Sequence, residues 1–411
     1  MSTDNARAIA AGLRAAGAGV AFGVPGGGPN LDVVGALDDA GLRFVLTHGE
    51  TAAAIMAATF GHLTGRAALA LATRGPGATS AVNGVAQATL DRFPLLMVTD
   101  SVAAVDTARI DHQRIDQRAL MTPITKWSGS LGHDDPSGTV LDALALAVAA
   151  PAGAVHLDDD PSAPGDRPPP STSRSTSPSS VAAADVALAR ELLDRARRPI
   201  AIVGIGALAD AASVRATLTR LGWPVLTTYQ ATGLIDSESD QGAGLFTNGA
   251  SEAPLLHEAD VIVTIGLDLV EPIPARWRYD APVVSLHTVP TTSAYLPVAV
   301  ALVGPVGELL DAAAPKHGSD WPHDAGALRR ERSRAALRAG ALEHGLSPLD
   351  VVAETRGLAP KDATVTVDAG AHFLAVMPMW PTVRPRSLLI SNGLATMGFA
   401  LPAAIAAALA R

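Results

Sequence analysis

The chain has 411 residues, 48% of them apolar, 4% aromatic and 17% charged, with 31 Lys and Arg against 40 Asp and Glu and a net charge of −9. At roughly 100–200 residues per domain this predicts two to four domains with material for large cores, and it excludes wholesale disorder. The acidic balance, with no run of Lys or Arg, excludes a nucleic-acid binder, and the lack of cysteine excludes disulfides, Cys-ligated zinc and a thiol nucleophile.

Taken in chain order, the polar start Met1–Asn5 lacks the basic opening of a secretory signal. Short apolar runs at Val20–Gly23, Arg43–Thr47, Ala67–Ala72 and Leu95–Thr99 then predict buried strands. Between them, Asn30–Ala40, Glu50–Leu63 and Ser80–Leu90 predict helices, with Ser80 as the cap of the last. Residues 1–160 therefore predict an α/β domain with a mostly parallel, helix-covered sheet. Residues 161–182, rich in Pro and Ser, predict a linker. The pattern resumes in a central α/β domain at 183–315, with strands at Ile200–Val203, Val225–Thr228, Val261–Ile265 and Val283–Leu286. Charge rises around Arg329–Arg332, and residues 345–411 predict the start of a third α/β domain, opening with a strand at Thr364–Val367. The apolar stretch Gly398–Ala410 is too short to span a bilayer and contains Pro402, so no membrane partner is expected. A cytoplasmic chain fits this composition.

Two glycine turns follow strands in the first domain: Gly23–Gly28 and Arg74–Ser80. Glycine there either serves tight turn geometry or lets a ligand approach the backbone at a helix N-terminus. Glu50 opens a helix after the second strand, and it is either a first-turn acid favoured by the helix dipole or a desolvated proton-transfer group. Gly204-Ile205-Gly206-Ala207-Leu208-Ala209 fits a dinucleotide fingerprint, but no acidic residue follows the next strand in Val225–Gln230, which argues against NAD.

These residues resemble thiamine-diphosphate enzymes of the acetolactate synthase type. The family's F-G-x-P-G-G turn is matched by Phe22–Gly27, its H-E-x-x-A-A helix start by His48–Ala53 with Gly49 before the Glu, and its S-G-P-G-A-T-N turn by Arg74–Ser80. Asp91-Arg92-Phe93-Pro94, Gln113 and Pro123–Trp127 continue the likeness. The central segment matches at Arg198–Ala207, Leu221–Thr228 and Glu258–Gly266. The third matches D-x-G-x-H at Asp368–His372 and S-G-G-L-G-T-M-G-F-G-L-P-A-A at Ser391–Ala404.

The resemblance implies a thiamine-diphosphate enzyme that decarboxylates a small 2-oxo acid and joins the product to a second carbonyl. It implies that Glu50 bonds N1′ of the aminopyrimidine, that Pro25, Gly26 and Gln113 line the pyrimidine side, and that Glu50 and Gln113 are catalytic. Pro76, Ser80 and Ala395 also fall to the cofactor, Gly370 and His372 to its diphosphate, and Met397 to the support of its bent shape. Gln113 and Lys126 in their contexts match the carboligase branch. Arg74 replaces the family's Ser and Ser80 its Asn, which leaves the product open; Arg74 either pairs with an acidic substrate group or makes a structural ion pair. FAD is left undecided.

The family's Mg²⁺ ligands, a Gly-Asp-Gly motif and a later Asn, follow the L-P-A-A helix, and neither occurs by Arg411, so no metal ligand is assigned. This predicts a C-terminally incomplete chain, inactive alone. The alternatives are a split-enzyme subunit whose partner chain supplies the Mg-diphosphate site, and a non-catalytic relative. The resemblance also implies a homo-oligomer, a dimer or tetramer.

Overall fold

In the computed structural model, the described residues are 3–26, 28–160, 162–170, 182–291, 296–339 and 345–411. Gly27 of the first glycine turn, and residues 161 and 171–181 of the expected linker, lie outside them. The chain divides into two compact units, Met1–Thr172 with Gly393–Arg411, and Ser173–Asn392. The third segment read from the sequence, 345–411, is shared between the two.

The first unit runs α1 (Thr3–Ala15), β1 (Val20–Val24), α2 (Pro29–Asp39), β2 (Arg43–Leu46), α3 (Glu50–Thr64), β3 (Ala68–Ala72), α4 (Pro76–Leu90), β4 (Leu95–Asp100), α5 (Gln117–Met121), β5 (Trp127–Leu131), α6 (Pro136–Val148) and β6 (Ala154–Asp159). Its six strands are all parallel, in the order β2-β1-β3-β4-β6-β5. Central strands of such a sheet are covered on both faces and need continuous apolar sequence. β3 (ALALA) and β4 (LLMVTD) supply it, and every residue of both is buried. Residues 162–170 carry no helix or strand, yet Asp166 exchanges two 2.9 Å hydrogen bonds with the backbone of Ser130 in β5.

α4 departs from expectation. It begins at Pro76, with Gly75 at the N-cap, so Ser80 lies in its second turn and caps nothing. Proline is well placed at a first helical position because its missing N–H would have no partner there. The strained entry falls to Gly75 at φ 65°, a conformation that glycine adopts without penalty.

The second unit runs α7 (Ala183–Arg195), β7 (Pro199–Val203), α8 (Ala211–Leu221), β8 (Val225–Thr227), β9 (Gly242–Leu245), α9 (Ala253–Glu258), β10 (Val261–Ile265), β11 (Val283–His287), β12 (Val298–Val303), α10 (Val306–Ala313), α11 (Ala325–Ala339), α12 (Pro348–Leu358), β13 (Val365–Val367), α13 (Phe373–Met379) and β14 (Leu388–Ile390). Its main sheet is also parallel, in the order β12-β11-β10-β7-β8-β9. Fully buried Trp223 belongs to one of two apolar clusters built on this sheet. β13 and β14 form a separate parallel pair over a smaller core around Met377 and Trp380.

The chain then returns to the first unit as α14 (Ala400–Leu409), which packs on α3. α3 is buried from Ala53 through His62, so it needs apolar partners all round. α4 approaches it closely because Gly84 has no side chain: a Cβ there would lie 2.6 Å from the Ala54 Cβ. Among the described residues no helix is long and apolar enough to cross a membrane. Parallel sheets with helical cover in both units make this an α/β protein of successive domains, as the sequence predicts.

Candidate active site

Open parallel sheets place their ligand sites beyond the C-terminal ends of the strands, where loops leave for the following helices. In the first unit the turns after β1, β2, β3 and β4 meet there. Glu50 is the first residue of α3, reached from β2 through extended Gly49. Its carboxylate is half-buried, and among the described residues no hydrogen bond or ion pair engages it. Thr51 Oγ1, one residue on, donates to the Ser80 carbonyl at 2.5 Å and ties α3 to α4.

Gly77 stands beside that carboxylate, and Gly26 shares the neighbour Thr73 with it. A Cβ at Gly77 would lie 3.4 Å from Glu50 Oε1 and 2.9 Å from Thr73 Cγ2, and one at Gly26 would lie 2.5 Å from Thr73 Cβ. Gly26, Glu50, Pro76–Gly77 and Ser80 thus converge on one place. Gln113 joins them through its backbone, since a Cβ at Gly75 would fall 2.5 Å from the Gln113 carbonyl oxygen. Gln113 itself is exposed and left-handed at φ 59°, a conformation that costs a non-glycine residue of order 1 kcal/mol and tends to gather at functional sites.

Several buried polar residues that sequence reading passed over hold these turns. Asp100, the last residue of β4, accepts at Oδ1 from Asn30 Nδ2 (3.2 Å) and from the Arg74 backbone N–H (3.0 Å), joining the turns after β1 and β3. Gln117 accepts from the Gly75 N–H at 2.6 Å. Its amide donates to Asp158 Oδ1 (2.6 Å), the Asp100 carbonyl (3.0 Å) and Thr99 Oγ1 (3.2 Å). Burial raises Asp158 to about 7 even though Thr99 and Gln117 donate to it. Burial also holds His156, bonded to Thr99 and Ser128 at 2.8 Å, down at about 3, so it stays neutral. A cleft of about 570 Å³ opens against Arg74, Gln113, Gln117, Arg118, Asp158 and Asp166. The one signal for this network in the sequence is the acidic run Asp158-Asp159-Asp160 closing an apolar strand.

Arg74 makes the structural ion pair: its guanidinium donates to the Ser101 carbonyl at 3.0 Å and lies 3.5 Å from Asp100 Oδ2. Lys126 closes the end of α6, donating to the carbonyls of Leu146 (2.5 Å) and Ala149 (2.6 Å), and burial lowers it to about 8.

The motif around Met397 belongs to this unit as well. The Gly393 N–H donates to Asp91 Oδ1 at 2.5 Å, and Thr396 Oγ1 bonds Asn83 of α4 at 3.3 Å. Ala395 is left-handed at φ 53°, and Met397 is 80% exposed rather than packed in a core. Gly370 and His372 lie in the second unit. Gly370 sits at φ 139°, and a Cβ on it would meet the His372 ring at 3.1 Å.

A half-buried carboxyl group with no bonding partner among the described residues, beside a glycine turn, can share a proton with a nitrogen of a flat heterocycle. An aminopyrimidine fits such a group, since its ring nitrogen accepts from a protonated carboxyl and, once protonated, donates to the carboxylate. Among the described residues no three His, Asp or Glu gather as a metal site, so this structure assigns no ligand to magnesium.

Residues 3–120 match the N-terminal TPP binding domain of thiamine pyrophosphate enzymes, 186–313 their central domain, and 368–411 their C-terminal TPP binding domain. Similar relatives include an acetolactate synthase of Bacillus subtilis, 30% identical over 95% of this chain and 71% of its own length. A catabolic acetolactate synthase of Raoultella terrigena is 32% identical over 96% and 74%. The large subunit of acetolactate synthase isozyme 2 of Escherichia coli is 29% identical over 97% and 74%. The chain belongs to the thiamine-pyrophosphate-dependent enzyme family and is acetolactate synthase-like.

Proposed function

We propose that this chain serves an enzyme that decarboxylates a small 2-oxo acid and transfers the resulting acyl unit to a second carbonyl compound, with thiamine diphosphate as cofactor, and that it is not active as this chain alone. The observation that carries the reading is Glu50, a carboxylate without a partner among the described residues at the convergence of the glycine turns. The cofactor, when bound, supplies a nucleophilic carbon that adds to the 2-oxo group and takes up the electrons left by CO₂.

Glu50 holds a proton at N1′ of the aminopyrimidine, and its half-burial strengthens that bond relative to water. Pro25, Gly26, Pro76 and Ser80 shape the pyrimidine side, and Gln113, at the mouth of the cleft, orients the substrate. Ala395 and Met397 support the bent cofactor, and exposed Met397 has the unbranched, adaptable side chain for a ligand surface. Gly370 and His372 serve the diphosphate. Magnesium enters with the diphosphate and has no assigned protein ligand. A homo-oligomer is part of the proposal, supported by the exposed apolar side chains Met397 and Leu401, which are 80% and 72% accessible.

The test measures CO₂ release from pyruvate and other 2-oxo acids with thiamine diphosphate and Mg²⁺ added, alongside calorimetric titration of the cofactor. Glu50→Gln is expected to weaken cofactor binding in the titration and, in any form of the enzyme that turns over, to lower turnover at least about 10²-fold, the usual scale for a lost acid–base group. Equal turnover and equal cofactor affinity in the two proteins would sink the assignment.

A further inference from the structure

The fingerprint-like turn after β7 is the strongest feature that the proposed reaction leaves unused. In a dinucleotide fold its glycines open the backbone to a diphosphate, whose charge takes up the N–H groups at the start of the following helix. Here the donors are already occupied. The Ile205 N–H points at both carboxylate oxygens of Glu271, at 3.0 and 3.1 Å. The Asp268 N–H donates to Oε2 at 2.9 Å and Thr228 Oγ1 to Oε1 at 2.5 Å. Glu271 is only 5% exposed.

The glycines are consumed as well. A Cβ on Gly204 would sit 2.5 Å from Glu271 Oε2 and 2.5 Å from the Leu267 Cα. One on Gly206 would sit 2.9 Å from the Gly266 carbonyl oxygen, which accepts the Gly206 N–H at 2.8 Å. Both positions are glycine because the turn after β7 packs directly on the turn after β10, and that packing accounts for the motif without any ligand.

We infer that Glu271 closes this cradle from within, standing on the donors a diphosphate would need, so that the second unit holds neither a flavin nor a nicotinamide dinucleotide. A diphosphate entering there would meet a buried carboxyl group instead of open N–H groups and would have to expel it, leaving Thr228 and the Asp268 N–H without their acceptor. Burial already raises Glu271 to about 8, against the pull of its donors, so the site is too dry to welcome further negative charge. The inference is independent of the thiamine reading, and its readouts do not involve turnover.

The experiment incubates the full chain with FAD or NAD⁺, removes excess ligand, denatures the protein and measures released flavin by absorbance and fluorescence. Thermal midpoints with and without each ligand are recorded in parallel. No retained flavin and unchanged midpoints are expected; equimolar flavin, or a midpoint raised by either ligand, would overturn the inference. Glu271→Leu adds a second arm, because it leaves the Ile205 and Asp268 N–H groups and the Thr228 hydroxyl without the carboxyl group that engages them. It is expected to lower the midpoint by about 5 °C, the scale of buried donors left unpaired. An unchanged midpoint in that variant would refute the claim that the carboxylate closes the cradle, and the ligand tests on the parent chain stand whether or not the variant folds.

Discussion

Replacing Asp158 with Asn tests how the buried network beneath the β3–α4 turn is charged. Asp158 stands at about 7 in the folded chain against an ordinary 3.8, because burial penalises its ionised form more than the donors Thr99 and Gln117 favour it. Between these two values the folded state keeps a proton that the unfolded chain has released. Stability contributed by this group is therefore present at low pH and falls as pH rises, by about 1.4 kcal/mol per pH unit and on the order of 4 kcal/mol in total. Asn has the shape of the protonated acid, retains an oxygen for the Gln117 and Thr99 bonds at 2.6 and 2.9 Å, and never ionises. Urea unfolding followed by circular dichroism at several pH values from 4.5 to 8 is the assay. Asp159 and Glu271 titrate in both proteins, so the difference between parent and variant isolates Asp158. The variant is expected to gain on the parent by about 3 kcal/mol across that range, the gap levelling off above pH 7. A constant gap, or a parent that gains on the variant as pH rises, would refute the reasoning.

Gln117→Leu removes the acceptor of the Gly75 N–H and a donor to Asp158, and should cost about 2–4 kcal/mol in the same unfolding assay. It should also move the Asp158 titration further upward, which a simple packing defect would not do. Gly61→Ala should destabilise by at least about 2 kcal/mol, because the new Cβ would lie 2.3 Å from the backbone oxygen of Pro94 and neither element can easily give way. A neutral result would mean that α3 and the turn before β4 move apart readily. Glu50→Gln, by contrast, should leave the unfolding free energy within about 0.5 kcal/mol of the parent, since no group among the described residues bonds to it.

Sequence reading located what short-range pattern determines. The apolar runs of β1–β4 and of β7, β8, β10 and β11 are continuous because those strands are buried, and Glu50 was visible as the start of α3. α1, β5, α6 and β6 were not anticipated, and Ser80 looked like a cap because Ser is a good one when no Pro opens the helix earlier. The Asp100–Gln117–Asp158 network was out of reach for a different reason. Its successive members lie 17 and 41 positions apart, and each is an unremarkable strand-end acid or helix-start amide in its own neighbourhood. Gln113 carried the recognisable motif, yet the buried, fully engaged amide is Gln117, placed inward by the N-cap at Asp116. Glu271 was invisible likewise, since its three donors come from three separate turns.

The bond between Gly393 and Asp91 joins residues 302 positions apart, with the whole second unit made between them. During synthesis the first unit therefore waits, with the flank of α3 that α14 will cover still bare, until Gly393–Arg411 has emerged. Closing so long a loop slows formation of that contact, whereas the second unit is contiguous and can fold as it appears. The exposed, Ala-rich flank of α3 would meanwhile be a ready binding place for a chaperone, or for the same helix of a neighbouring nascent chain.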